Sequence, residues 1–500
     1  MSKVSNLKEK YFPSDSTIPV REQISYCGGI FGNCMGQDCV GTYGDQFYRN
    51  CMGISPEKIQ IKDNITEILG FLVPPVAGAL YDRDRGEGKM SYVRMALGSM
   101  PVPFAIASML LFVVPFVNSS KNFIWAFIFG LIFSVSDTFF DMAMNTLALR
   151  LVPNPKIRKN FFTLTGLASS LGSALPGWVI PLFLNEKDDP KKIQSAYFYV
   201  ALVFCIIGFV TMYTSFFGVK DRPAVSIGAK KEADGRVHWN KDIILAILRN
   251  RPFVILQISQ LCDAIRQITY KFLPYLYKDT LDDYKMKTIF DVVSSSLSYM
   301  GLLAVPVVGN KVSAKNILSG GYAYTGFIYL LMSLFNIKFS LGKVRKGKYI
   351  IGILIGLAGM PNYAQSAARN IIIADSTDYM EWYSAKHFGT PMRSDGILTA
   401  AKSIFGKITS LVKLNAYDLL MNAIGYTSTN TAAGERPVQS DKTLKGIFMV
   451  TTICGLIGNF ASALCFLFDN YTGKRKEQIL DELREIRMNN PEIVKEEIYD

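Results

Sequence analysis

Histidine is nearly missing from this chain of 500 residues, which has 2, His238 and His387. Both fall in expected loops. Neither an HExxH pair nor a GxSxG elbow occurs, which removes the usual helical zinc site and the hydrolase nucleophile elbow. The chain is therefore read as a non-enzyme with no resident metal or cofactor. The 8 cysteines form no CxxC pair. They lie mostly inside apolar runs (Cys27, Cys34, Cys39, Cys51, Cys205, Cys262, Cys454, Cys465), as small packing residues rather than a disulfide framework or zinc site. Charge is scarce as well: 19% of residues, against about 25% in a soluble domain. Residues 1–25 are polar and lack the n-region, h-region and cleavage site of a removable signal peptide, so the first apolar segment is expected to act as its own insertion signal.

Apolar length is what the chain has in abundance. Hydrophobic residues make up 49%, with 33 Phe and 25 Tyr, and the mean hydropathy is positive. The charges cluster between long apolar runs, the pattern of a multi-pass membrane protein. The net charge of +13 resides in short inter-segment loops, as the positive-inside rule expects, and does not point to nucleic acid.

Twelve segments are expected. Segment I (26–52) is Gly-rich and holds Asn33, Gln37, Asp38 and Asp45. Segment II (62–81) contains Glu67 and the Pro74–Pro75 pair. Segment III (93–117) is uncharged past Arg94, and V (161–185) and VI (195–218) carry no charge. A polar, basic linker, 219–251, separates the halves. Segment VII (252–277) carries Asp263, Arg266 and Lys271. Segment VIII (288–309) holds Asp291, and IX (320–337) is uncharged. Segment X (348–373) presents Asn362, Gln365 and Arg369 on one face. Segment XI (396–421) contains Lys402 and Lys407, and XII (446–468) is uncharged. The tail, 471–500, carries an amphipathic stretch (Ile479, Leu480, Leu483, Ile486) expected to be a solvated or surface-lying helix.

Segment IV, from about Phe123 to Leu149, stands out. Asp137, Asp141 and Asn145 recur at i, i+4 on one helix face with no basic residue among them. A charge at bilayer depth costs at least about 2.5–3.5 kcal/mol on the insertion scale, so such residues face a bundle interior or a watery cavity. Spacing alone leaves two readings open, a polar pathway or structural carboxylates capped by neighbours. The whole-chain pattern separates them. Polar residues concentrate in I, IV, VII and X, whereas III, VI, IX and XII are almost purely apolar. A transporter built as two six-helix halves of nested three-helix repeats predicts this, with one helix per triplet lining a central cavity. The fold class is accordingly an all-α membrane protein of twelve transmembrane helices in two six-helix pseudo-symmetric bundles, 26–218 and 252–470, with the segment 1–25, the linker and the tail 471–500 cytoplasmic.

Basic residues after II (Arg83, Arg85, Lys89) and after IV (Arg150, Lys156, Arg158, Lys159), together with the linker, place both termini in the cytoplasm. The basic loop between IX and X (Lys338, Lys343, Arg345, Lys346, Lys348) would then face outward, against the rule.

Several stretches resemble the glycoside–pentoside–hexuronide:cation symporter family (melibiose permease-like) of the major facilitator superfamily. YCGGIFGN (Tyr26–Asn33) is similar to the family's start of helix I. GALYDRDRGEGK (Gly78–Lys89) is similar to the superfamily's loop between II and III. SDTFFDMAMNTLAL resembles the helix IV segment whose leading acid, here Asp137, contacts sugar or cation. NRPF (Asn250–Phe253) matches the entry to helix VII. IIADSTDYMEW (Ile372–Trp382) resembles the signature after helix X, with Met380 in place of Gly, and Lys407 stands at the spacing of the helix XI lysine. The resemblance covers nearly the whole chain and implies the major facilitator fold.

Its site residues are only partly kept. The family's helix I sugar-binding Asp is matched here by Cys34. The two cation-binding Asp of helix II are matched by Gly70 and Pro74, neither able to chelate sodium by a side chain, and its Arg one turn earlier by Glu67. The resemblance implies a cation-coupled carrier in which these roles are relocated. Asn33, Gln37, Asp38, Asp137, Asp141, Asp263, Arg266, Asn362 and Lys407 are the candidates for solute binding or cation coupling. Carboxylates, amides and guanidinium groups suit a hydroxylated or charged solute, and a desolvated carboxylate can carry a proton in place of sodium.

Gly78, Asp82, Arg83 and Arg85 are candidate gate residues. Asp82 is expected to accept from a helix N-terminus or to pair with a basic residue, while Arg83 and Arg85 read equally as topogenic charges. Asp375, Asp378 and Glu381 read as gate or helix-end residues, or as a solvated acidic face. The expected function is secondary active transport of a small polar solute, a sugar or glycoside, by alternating access across the cell membrane, coupled to a proton or sodium. The chain is expected to be a monomer. A lysolipid carrier and a non-transporting sensor are the alternatives.

Overall fold

A computed structural model describes residues 18–83, 89–152, 155–183, 190–221, 241–309, 311–337, 339–389, 391–426 and 439–488. Arg85, His238 and most of the linker lie outside the described residues. The described chain is helical, without strands. It groups into two compact units.

The first unit comprises the described parts of Met1–Asn250, Ala374–Lys407 and Gln478–Asp500. It begins with α1 (Val20–Asn50), then α2 (Pro56–Gly70) and α3 (Val73–Tyr81), which together make segment II. The break falls just before Pro74 and Pro75. Proline supplies no N–H and its ring crowds the preceding turn, and there the helix tightens, with Phe71 donating to Ile68 O and Leu72 to Leu69 O, both at 3.1 Å. Segment III breaks likewise, into α4 (Tyr92–Ser99) and α5 (Pro101–Leu110). Then follow α6 (Ser119–Leu151), α7 (Pro155–Phe183), α8 (Pro190–Gly218) and the short α9 (Lys241–Leu248) within the linker.

In lipid, apolar burial gives no drive between helices, so close backbone approach and dispersion hold them together. Helix α1 packs chiefly on α7 and α8. A Cβ on Gly172 of α7 would stand 2.4 Å from Phe31 O, so only glycine allows that approach. Around it a core forms from Met35, Phe47, Tyr48, Phe112, Tyr197 and Phe204.

The second unit comprises Arg251–Ile373 and Ile408–Glu477. It opens with α10 (Arg251–Tyr275), which Pro274 ends by passing into one wide turn, Leu276–Thr280. There Leu281 donates to Leu276 O, five residues back, at 2.8 Å. Then come α11 (Tyr284–Val308), α12 (Ala314–Ile337), α13 (Leu341–Lys346) and α14 (Lys348–Ala358). Helix α15 (Asn362–Phe388) follows a break at Gly359–Pro361 and runs well past the expected end of segment X. Helix α16 (Asp395–Ala423), α17 (Asp441–Cys465) and α18 (Gly473–Met488) complete the chain. The C-terminal part of α15 and the N-terminal part of α16 belong to the first unit. The second unit's core gathers Phe272, Tyr277, Met332, Ile351 and Phe448. Gly458 of α17 lies so close to α10 that a Cβ would meet the Arg266 backbone N at 2.3 Å.

Seven described helical stretches are long and apolar enough to cross a membrane: segments II, III, IV, VI, VIII, IX and XII. Segments I, V, VII, X and XI do not meet that measure in the described residues, and all of these but V carry much of the polar content. Helix α8 leaves Val203, Ile206 and Val210 exposed, and α11 leaves Met300, Leu303 and Val307. Such belts suit lipid contact. Two expectations are corrected. His387 sits in the last turn of α15, not in a loop, with its ring stacked on Tyr383. The tail helix α18 is docked, with Ile479 and Leu483 buried.

Candidate functional site

Three polar clusters account for the expected site residues. The first lies within the first unit, where α6 turns its acidic face toward α1. Gln37 Nε2 donates to Asp137 Oδ1 at 2.6 Å, and Asn33, buried to 1% exposure, hydrogen-bonds the same carboxylate. One turn on, Asn145 donates to the Asp141 carboxylate at 2.9 Å. Lys402 Nζ donates to Asn145 Oδ1 at 2.9 Å and brings its charge near Asp141. Asp38 faces Ser173 of α7, and Cys34 faces Ser169 at 3.5 Å. Asp45's side chain lies outside the described ones.

Lys407 explains part of what segment II lost. Its ammonium lies 3.4 Å from Glu67, and a Cβ on Gly70 would stand 2.5 Å from its Nζ. The glycine leaves the room that the lysine fills. A built-in cation stands beside the position where the resemblance implies a cation-binding acid.

The second cluster belongs to the second unit. Asp263, buried, takes a two-pronged ion pair from Arg266 one turn on. Gln267 donates to the same carboxylate at 3.0 Å. Arg266 also donates to Tyr270 Oη at 2.6 Å and reaches Asn362 Oδ1 at 3.5 Å, with its guanidinium against the Tyr270 and Tyr322 rings. Arg369 approaches Asp263 at 3.8 Å. Asp291, by contrast, pairs with Lys287 on its own helix and takes no part.

The third cluster lies outside the expected spans, again in the first unit. Asp82, at the end of α3, accepts from the backbone N–H of Gly396 at 2.8 Å and of Ile397 at 2.9 Å, and from the Ser394 hydroxyl. This is a carboxylate at the N-terminus of α16, as expected. Burial raises the Asp82 carboxyl pKa, while Ser394, Arg150 and Gly396 oppose that rise. A Cβ on Gly78 would stand 2.8 Å from Gly396 O, so α3 and α16 cross at two glycines. Arg83 sits beside Asp82, partly buried. Arg150 holds Asp221 at 3.0 Å and Tyr81 O at 2.6 Å.

Arg158, 1% exposed, pairs with Asp375 and Asp378, each at 2.8 Å. Arg393 lies within 3.7 Å of Asp378, 3.8 Å of Glu381 and 3.4 Å of Asp395. Arg487 of α18 forms a two-pronged pair with Glu381. The solvated acidic face is therefore corrected: Asp375, Asp378 and Glu381 are buried and paired. Burial pushes the Asp378 carboxyl up, but Arg158, Arg487 and Arg393 outweigh it and hold it below the usual range.

Sequence reasoning read Arg158 as a topogenic charge and did not single out Arg393 or Arg487. The carboxylates of Arg158 and Arg487 lie 217 and 106 residues away, which no local spacing signals.

A family model described as MFS/sugar transport protein matches residues 28–473. The chain belongs to that family. As a member of the MFS/sugar transport family, it is a multi-pass membrane carrier. It is 22% identical to the isoprimeverose transporter of Lactiplantibacillus pentosus, over 90% of this chain and 88% of that one. It is 21% identical to a putative sulfoquinovose importer of Salmonella typhimurium, over 96% of each. The fold matches the outward-facing crystal structure of a bacterial homologue of the iron transporter ferroportin, with TM-score 0.61, 13% identity, and coverage of 89% of this chain and 99% of that one.

Proposed function

We propose that this family member is a secondary carrier moving a small sugar or glycoside across the cell membrane by alternating access, with both termini cytoplasmic and coupling to a proton. The six-segment halves 26–218 and 252–470, joined by the linker, form its two bundles, and it works as a monomer without a cofactor. The relatives named for isoprimeverose and sulfoquinovose support the solute class. One observation carries the assignment of the coupling site: Asp137 and Asp141 share one face of α6 and are met by Gln37, Asn33 and Asn145 rather than by arginine. A carboxylate held by amides can take up and release a proton, whereas a two-pronged guanidinium pair would lock it ionised.

Sodium is disfavoured by Lys407, whose ammonium fills the space beside Gly70. Like charges at that distance repel a second cation. The gate role falls to Asp82, Gly78, Asp375 and Asp378.

The test is uptake into proteoliposomes across a glycoside panel, with sodium and proton gradients imposed separately. Uptake driven by an inward proton gradient and indifferent to sodium is expected. Asp137→Asn and Asp141→Asn should each abolish accumulation against a gradient. If both variants accumulate solute normally, the coupling site lies elsewhere; uptake that follows sodium and ignores pH overturns the proton assignment.

A further inference from the structure

The basic loop between segments IX and X, which runs against the positive-inside rule, divides into two kinds of residue. Lys338 lies outside the described residues. Arg345 and Lys348 are used within the second unit: Arg345 Nε donates to Thr280 O at 3.2 Å, and Lys348 pairs with Asp283 at 2.7 Å. The fold absorbs both charges. Lys343 and Lys346 differ. Both are exposed, and among the described residues neither has a carboxylate within 4 Å. They stand on the side of α13 opposite Leu341 and Val344, which pack against the second unit's core.

The helical register continues past them. Gly347 N–H donates to Lys343 O at 2.9 Å, and Ile351 N–H to Gly347 O at 3.1 Å, so α13 runs into α14 without losing phase. Lys343, Lys346, Ile350 and Ile353 therefore recur at i, i+3, i+7 and i+10 on one face. Ile350 is 57% exposed and Ile353 52%, with Tyr349 beside them at 61%. At a rise of about 1.5 Å per residue, the two ammonium groups lead into an apolar stripe roughly 10 Å long. Isoleucines exposed in this way suit acyl chains, and a tyrosine at their upper end suits the headgroup level. A basic pair at that level attracts anionic headgroups, and lysine can lay its apolar stem along hydrocarbon while its charge reaches a phosphate. The charge and the stripe together fit one ligand shape, an anion with acyl chains attached.

We propose that Lys343 and Lys346 form a binding site for an anionic phospholipid. Its phosphate lies against the two ammonium groups, and its acyl chains follow Ile350 and Ile353. With both termini cytoplasmic, the site belongs to the outward leaflet, where the lipid supplies the negative charge that this loop lacks. It stands apart from the clusters around Asp137 and Asp263.

Native mass spectrometry of the full chain tests the site, with delipidated protein in detergent titrated with phosphatidylglycerol or with phosphatidylcholine of the same acyl chains. Phosphatidylglycerol should bind the more tightly. Lys343→Gln/Lys346→Gln should weaken its binding roughly thirtyfold and each single variant roughly fivefold, with phosphatidylcholine unchanged. Lys343→Arg/Lys346→Arg should keep the wild-type preference. Phosphatidylglycerol should also raise the Tm of the wild type more than that of the double glutamine variant. Should that variant fail to fold, the single variants decide. Equal binding of the two lipids by the wild type, or glutamine variants that keep the preference, overturns the proposal. Displacement of the lipid by free glycerol phosphate at equal concentration also overturns it, since the site would then take a soluble phosphate.

Discussion

At the scale of single residues, the least forgiving positions are glycines and buried arginines whose importance depends on distant neighbours. The α3–α16 crossing needs Gly396 because a Cβ there would stand 2.6 Å from Gly78 O and 2.9 Å from Asp82 Oδ1. Gly396→Ala should therefore destabilise by about 1–3 kcal/mol, the usual range for overpacking. Gly406→Ala, ten residues along the same helix with nothing within 4 Å, should be neutral or stabilising by about 0.4–1 kcal/mol. Thermal unfolding of both variants in one detergent checks the contrast. Arg158 gives a second case. At 1% exposure between two carboxylates, its loss removes the short ion pair to each and leaves Asp378 to the more distant Arg487 and Arg393, so Arg158→Gln should cost about 3–5 kcal/mol. The local motif made Gly78 and Asp82 legible. Gly396 and Arg158 carried no comparable mark, since a glycine or an arginine near a loop is ordinary until its partner is known.

At the scale of elements, the tail helix departs most from expectation. The amphipathic face of α18 suggested a surface-lying helix, and the apolar stripe was read correctly: Ile479 and Leu483 are buried. What the stripe could not reveal was its polar edge. Glu482 accepts from the Trp382 indole at 2.7 Å and from Lys386 at 3.0 Å, and Arg487 pairs with Glu381. The Trp382 and Lys386 hydrogen bonds hold the Glu482 carboxyl below its usual range. Asp378 responds to the same cluster. Its pKa is lowered in the folded state, so its stabilising contribution is complete above the unfolded value of about 3.9. It is lost as pH falls through the lower folded value. The Tm difference between wild type and Asp378→Asn should thus hold steady from pH 8 to pH 5 and shrink below about pH 4. A gap that widens on acidification would contradict the pairing.

Across the whole molecule, the pattern of polar and apolar segments carried the architecture because a membrane makes it unavoidable. Every spanning helix must satisfy its backbone internally, and charges survive in lipid only where other groups receive them. The face Asp137–Asp141–Asn145 was legible for that reason, and so was the Asp263–Arg266 pair. Their tuning was not: Lys407 against Gly70 and Arg369 beside Asp263 emerge only when helices distant in sequence meet. The same long-range character gives the network around Asp82 and Arg158 its consequence for dynamics. It ties α3 and α7 to residues 375–397 with contacts that a carrier must break in part of its cycle. Weakening them should shift the population away from the state that contains them. In Arg158→Gln, hydrogen exchange should accelerate across 374–397 and at the end of α3. It should stay unchanged in α10 and α17, whose contacts lie in the second unit. Acceleration spread evenly over both units would mean general loss of stability instead, and unchanged exchange at 374–397 would mean that these ion pairs do not hold the state together.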